Sequence, residues 1–216
     1  MLQLIATHKR FYLLWLITMV VVGIVLICTD KSDFSLWLNA HHSLSADYFF
    51  RYATWLGDGF TVGIVCLVLL FVKLRWGISM SVVSFVSAFF VSLIKQTYNE
   101  PRPSVVFHQI QLHYVNGIEL YKNYSFPSGH TAAAFTLFLL LSFFVANKKY
   151  QYLFFGLACI VAVSRVYLLQ HFLVDVYFGA LFGVIFGTLL YWPFVVIPAF
   201  QKKWAQWGLL NRQHQA

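Results

Sequence analysis

Residues 11–28 run for eighteen positions without a charged side chain, and comparable apolar runs recur to the far end of the chain. A helix of about that length crosses the roughly 30 Å hydrocarbon core of a bilayer, and helices suit the task because they satisfy every backbone N–H and C=O internally. Six spans can be marked, near 11–28, 60–72, 78–94, 128–146, 152–169 and 172–197. The second is short and can borrow from its flanks. Composition agrees: 60% of residues are hydrophobic and 10% charged, against roughly 25% charged in a soluble domain. The expectation is an all-α polytopic membrane protein, six transmembrane helices in one bundle, forming a single domain over 1–216. There is no room for a sizeable extramembrane domain. No small-residue cleavage site follows the first span, which therefore reads as a retained helix.

The formal charge of +8 raises the question of nucleic acid, and its distribution answers against it. With the N-terminus inside, the cytoplasmic segments hold Lys9, Arg10, Lys73, Arg75, Lys148, Lys149, Lys202, Lys203 and Arg212. All seven acids (Asp30, Asp33, Asp47, Asp58, Glu100, Glu119 and Asp175) fall toward the outside. This is the bias that sets membrane orientation. Both termini are expected in the cytoplasm, with anionic lipid headgroups as the counterpart of the surplus positive charge. Cys28, Cys66 and Cys159 show no CxxC or Cys/His spacing, so they read as packing residues, with neither disulfide framework nor zinc site.

Lys95, Arg102 and Arg165 break the charge bias. Together with His130, His171 and Asp175 they stand at the expected outer ends of the last four spans, where ionisable residues are costly and tend to mark function. In "KQTYNEPRP", 95–103, Pro101 and Pro103 stop the helix and limit where Arg102 points, although snorkelling to headgroups would also explain a Lys and an Arg there. In "FPSGHTAAAF", 126–135, Ser128 can cap the fourth span. Gly129 lets the backbone approach a ligand, and the free N–H groups with the positive helix end suit an anion beside His130. In "SRVYLLQHFLVD", 164–175, His171 and Asp175 are spaced i, i+4. If the sixth span starts near His171 they share a face, the carboxylate holding one ring nitrogen and leaving the other free to attack. Each segment has a purely structural reading, but all three would have to be accidents at the same membrane face.

Lys95 with Arg102-Pro103, then Pro127-Ser128-Gly129-His130, then Ser164-Arg165 with His171 and Asp175, resembles the three-part signature of the type 2 phosphatidic acid phosphatases. These are also called lipid phosphate phosphatases and share a fold with vanadium haloperoxidases. The signature occupies 95–175. The resemblance implies that Lys95, Arg102, Arg165, Ser128 and the Gly129 N–H cradle a phosphate. It implies that His171 attacks phosphorus to give a phosphohistidine, that Asp175 orients it, and that His130 moves the proton to the leaving group and from water. No metal or other cofactor is required, because cationic side chains take the place of Mg²⁺. Two histidines starting in opposite protonation states give a bell-shaped pH dependence.

The expected substrate is a lipid phosphate or diphosphate of the outer leaflet of a bacterial inner membrane: lipid A phosphate, undecaprenyl diphosphate, phosphatidylglycerophosphate or phosphatidic acid. A phosphotransferase using the same intermediate, and an anion or lipid transporter, are the other readings; oligomeric state stays open. His41 and His42 read as a polar patch, since adjacent helical positions do not face one another. His108 and His113 fall in an expected solvated loop. Trp55 reads as an interfacial anchor, and the neighbouring Gly57-Asp58-Gly59 as shaping the site mouth.

Overall fold

The computed structural model describes residues 1–208; Arg212, counted above among the inner basic residues, lies outside them. Among the described residues every regular element is helical. After a short α1 (Leu2–Thr7), α2 (Lys9–Cys28) is followed by two short helices, α3 (Asp33–Ala40) and α4 (Leu44–Ala53). A 3₁₀ turn (Thr54–Gly57) leads into α5 (Gly59–Val72), and α6 (Leu74–Tyr98) ends before the one-turn α7 (Pro103–Val106). A long loop then precedes α8 (Gly129–Phe144), α9 (Tyr150–Tyr167) and α10 (Leu173–Val196).

Four helical stretches are long and apolar enough to cross a membrane, and the bent pair Leu44–Gly57 with Gly59–Val72, which turns by 52°, can supply a fifth. The short second run of the sequence is thus completed by α4 and the 3₁₀ turn, across a break at Asp58 that caps α5 through the Phe60 N–H (2.8 Å). The fourth expected span, α8, has only sixteen residues. It ends at Phe144, just before the polar stretch Asn147-Lys148-Lys149. The protein is a membrane protein whose outermost helix, α2, keeps only Phe11 and Met19 buried. Cys28, at its end, is exposed, whereas packing was expected for it; Cys66 and Cys159 are partly buried.

The centre of the bundle is α8, with eleven of its sixteen residues buried. It packs against α10, α9 and α6. Contact with α10 is close because that helix presents glycine one turn apart. A Cβ on Gly179 would stand 2.7 Å from the Ser128 carbonyl oxygen, and one on Gly183 would stand 2.6 Å from that of Ala132. Small residues let helix backbones approach where lipid supplies no hydrophobic drive for association. Hydroxyls add polar ties: Thr136 Oγ1 donates to the Gly183 carbonyl at 3.1 Å, and Tyr12 and Thr188 pair between α2 and α10 at 2.7 Å. The α6 C-terminus and the N-termini of α8 and α10 thereby meet at one end of the bundle.

Candidate active site

At that end the chain leaves α6 through Asn99, whose left-handed conformation (φ 41°) closes the helix by donating to the Lys95 carbonyl. The prolines keep the following segment extended, so it pairs with the strand-like approach to α8: the Arg102 N–H donates to Lys122 and the Ser125 N–H to Glu100, both at 2.9 Å. Three cations stand at this end, Lys95 and Arg102 placed by this pairing and Arg165 by α9. Lys95 Nζ donates to the Tyr124 carbonyl at 2.8 Å. Arg102 is buried; its Nε donates to the Asn123 carbonyl at 2.9 Å, and its Nη1 donates to both oxygens of Gln170 at 3.2 and 3.0 Å. Arg165, also buried, donates through Nη1 to Thr54 Oγ1 at 2.6 Å.

Ser128 caps α8 as its sequence context predicts. Its Oγ accepts from the Thr131 N–H (3.4 Å) and hydroxyl (2.9 Å). The Ser128 N–H donates to the Asp175 carbonyl at 2.9 Å, which fixes α8 to the first turn of α10. The Lys95 side chain passes over Gly129, since a Cβ there would lie 3.6 Å from Lys95 Cε.

His171 is reached differently from the expected route. It does not lie on α10, which starts at Leu173, but in a reversal after α9 where the N–H groups of Gln170 and His171 both donate to the Arg165 carbonyl (3.0 and 3.1 Å). The reversal needs Leu169 at φ 52°, a left-handed conformation costing about 1–2 kcal/mol and offset by packing between Phe107 and Phe172. Asp175 nonetheless meets the ring: Oδ2 lies 3.5 Å from His171 Nδ1. The same oxygen accepts from Ser125 Oγ at 2.5 Å and from the Phe172 N–H at 2.9 Å. Nδ1 is thus the ring nitrogen on the carboxylate side. His171 is buried, and its pKa is pushed well below the ordinary imidazole value, first by that burial and then by Arg165, Arg102, Lys95 and His130.

His130 is half-buried, with Nε2 3.6 Å from Asp58 Oδ2. It stands with Lys95 and Gly129 at the edge of a cavity of about 810 Å³ that continues between α5, α6 and α8 along Val62, Ala88 and Ala133. All eight expected site residues thus gather at one end of the bundle. Sequence reasoning missed Ser125, Gln170 and Thr54, which hold Asp175, Arg102 and Arg165. His113, expected in a solvated loop, instead donates from Nε2 to Asp47 Oδ2 (2.8 Å), stacks on His42 at 3.9 Å and accepts at its carbonyl from Asn39 (2.7 Å), tying the loop to α3 and α4. His41 binds the Trp37 carbonyl and Trp55 is exposed against Tyr52.

A helical bundle with an apolar cavity that reaches Lys95 and His130, beside buried Arg102, Arg165, His171 and Asp175, defines a class: integral-membrane proteins with a cluster of cations and histidines at one end of the bundle. The chain belongs to the PAP2 superfamily, which it matches over residues 76–196. It is 32% identical to a lipid A 4'-phosphatase of Porphyromonas gingivalis over 102 residues, 46% of this chain and 42% of that relative. The matched stretch therefore spans less than half of the relative's length. In structure it resembles LpxE of Aquifex aeolicus, with a TM-score of 0.66, 26% identity, and coverage of 73% of this chain and 92% of that one. It also shares the fold of a transmembrane PAP2-type phosphatidylglycerolphosphate phosphatase from Bacillus subtilis, with a TM-score of 0.64, 21% identity, and coverage of 88% and 97%.

Proposed function

We propose that this protein is a metal-independent phosphatase of phosphorylated membrane lipids, working through a phosphohistidine. The observation that carries this reading is the gathering of Lys95, Arg102 and Arg165 about a buried His171 whose Nδ1 lies 3.5 Å from Asp175 Oδ2, next to a cavity of about 810 Å³ lined by Lys95 and His130. Guanidinium and ammonium groups aimed at one point stabilise the charge on equatorial phosphoryl oxygens. Ser128 and the Gly129 N–H, at the positive end of α8, complete the cradle.

His171 Nε2 attacks phosphorus as the bond to the leaving oxygen breaks, and His130 gives that oxygen its proton. Water then attacks the phosphohistidine and His130 takes the water's proton. The electron pair of the P–N bond returns to His171. Asp175 stabilises the imidazolium character that develops on His171 and holds its ring orientation.

The substrate class is a lipid phosphomonoester or diphosphate. The named relatives act on lipid A 4'-phosphate and phosphatidylglycerolphosphate, and the cavity offers an apolar path for acyl chains beside the phosphate site. The basic residues Lys9, Arg10, Lys73, Arg75, Lys148 and Lys149 lie at helix ends opposite the site. That arrangement favours a bacterial inner membrane with the termini in the cytoplasm and the site at the periplasmic face.

The test is inorganic phosphate release by purified protein from lipid A, undecaprenyl diphosphate, phosphatidylglycerophosphate and phosphatidic acid, with a chelator present. Wild type is expected to turn over at least one of them, and His171→Ala to lose more than about 10³-fold. Activity that survives His171→Ala, or vanishes with chelator, would overturn the reading. Release that requires a second lipid as acceptor would make the protein a transferase.

A further inference from the structure

The geometry points to Asp58 as the positioning residue of the general acid: a carboxylate, outside the three-part signature, that holds His130 in its proton-bearing form. This rests on the proposed function and adds a component to it.

Asp58 sits in the break between the 3₁₀ turn and α5, with extended backbone (φ −76°, ψ 146°). Its two oxygens face different partners. Oδ1 accepts from the Phe60 N–H at 2.8 Å and caps α5, while Oδ2 lies 3.6 Å from His130 Nε2. The approach is enforced by Gly57, where a Cβ would stand 2.6 Å from the His130 carbonyl oxygen. The 3₁₀ turn is therefore seated on the first turn of α8. The same turn carries Thr54, the acceptor for Arg165, so one short segment touches two parts of the signature while belonging to none.

Charge explains why a carboxylate is needed there. Burial first, and then Arg165 from α9, Lys95 from α6 and Arg102 from the linker, all disfavour an imidazolium at His130. Yet protonation of a leaving alkoxide requires one. Asp175 is committed elsewhere, to Ser125, the Phe172 N–H and His171. Asp58 is the carboxylate whose field offsets the cations at His130. Both side chains of the pair are partly exposed, at 33% and 43%, and a lipid filling the adjoining cavity would shield them, strengthening the attraction as substrate binds.

The proton balance fixes the role. In the first half-reaction the imidazolium gives one proton to the departing oxygen and becomes neutral; in the second it takes one from water and becomes cationic again. Asp58 accepts no proton. It stabilises the cation with which each cycle starts and ends.

Asp58→Asn isolates this charge, because asparagine caps a helix as well as aspartate. With a lipid phosphate, whose leaving alkoxide needs the proton, kcat is expected to fall about 10- to 100-fold with KM within about 2-fold. With p-nitrophenyl phosphate, whose leaving group departs unprotonated, the loss is expected to stay under about 3-fold. In a His130→Ala background Asp58→Asn is expected to add no further loss. Asp58→Ser, a second cap-preserving change, reproduces the pattern if the Asn protein is not recovered folded. Equal losses on both substrates, or wild-type rates on both, would overturn the inference. His171→Ala assayed alongside separates the two readings: a wild type inactive on all substrates sinks the phosphatase proposal, whereas an active wild type with an indifferent Asp58→Asn sinks only the role of Asp58.

Discussion

His171 is 1% exposed and faces the cations Arg165, Arg102 and Lys95, and the burial and the charges act in the same direction. A lowered pKa keeps the ring neutral at every pH above the shifted value, so on the proposed mechanism it is nucleophilic there and activity is lost as pH falls through that value. The acid limb of the kcat/KM profile should therefore lie below the ordinary histidine value of about 6.5. Arg102→Gln removes one of the cations, so the limb of its residual activity should move upward, toward 6.5; an unmoved limb would mean that another group sets it. The catalytic candidates were legible because their types and spacing are unusual in an apolar chain. Ser125, Gln170 and Thr54 were not. Each is an ordinary polar residue whose partner lies far along the chain, as with Arg165 donating across 111 positions to Thr54. The relation of His171 to Asp175 was legible in its pairing but not its geometry. An i, i+4 interval suggests a shared helical face, whereas the pair is formed between a loop and the first turn of a helix.

At the scale of elements, hydropathy located the long helices, not α3, α4 or α7, and local chemistry located several of their ends. Ser128 opens α8 because its hydroxyl replaces a missing helical acceptor, and the prolines after Tyr98 end α6. What the pattern could not convey was which helix would be central. A nearly uniform apolar composition carries little facial contrast, so the distinction between α2, bare toward lipid, and α8, enclosed, arises from packing. Its cause is the α10 glycine row, which admits the α8 backbone. Gly183→Val would drive its side chain into the Ala132 carbonyl and the Phe135 Cβ, 2.8 Å from the ideal Cβ. Overpacking of this kind costs about 1–3 kcal/mol. Thermal unfolding in detergent should show the loss, with activity falling alongside it because Ser128 and Asp175 are joined across that contact. A Gly183→Val protein as stable and active as wild type would refute the close-approach account. The break at Asp58 was likewise invisible to a hydropathy run that simply began at 60.

Over the whole molecule, the separation of charge follows the bundle: the acids gather at the site end and the paired basic residues at the other. A further consequence comes from the brevity of α8. Sixteen residues rise about 24 Å, less than the roughly 30 Å of hydrocarbon in a typical bilayer. On the proposed mechanism, an oxyanion held at the opening of that helix would sit several ångströms deeper than an unperturbed headgroup, so that either the lipid sinks or the leaflet dimples. Turnover in reconstituted vesicles should accordingly rise as phosphatidylcholine acyl chains shorten from 22 to about 14 carbons, and a rate indifferent to chain length would rule this out. Acyl length in the surrounding membrane then becomes a control on the enzyme that requires no effector and no second site.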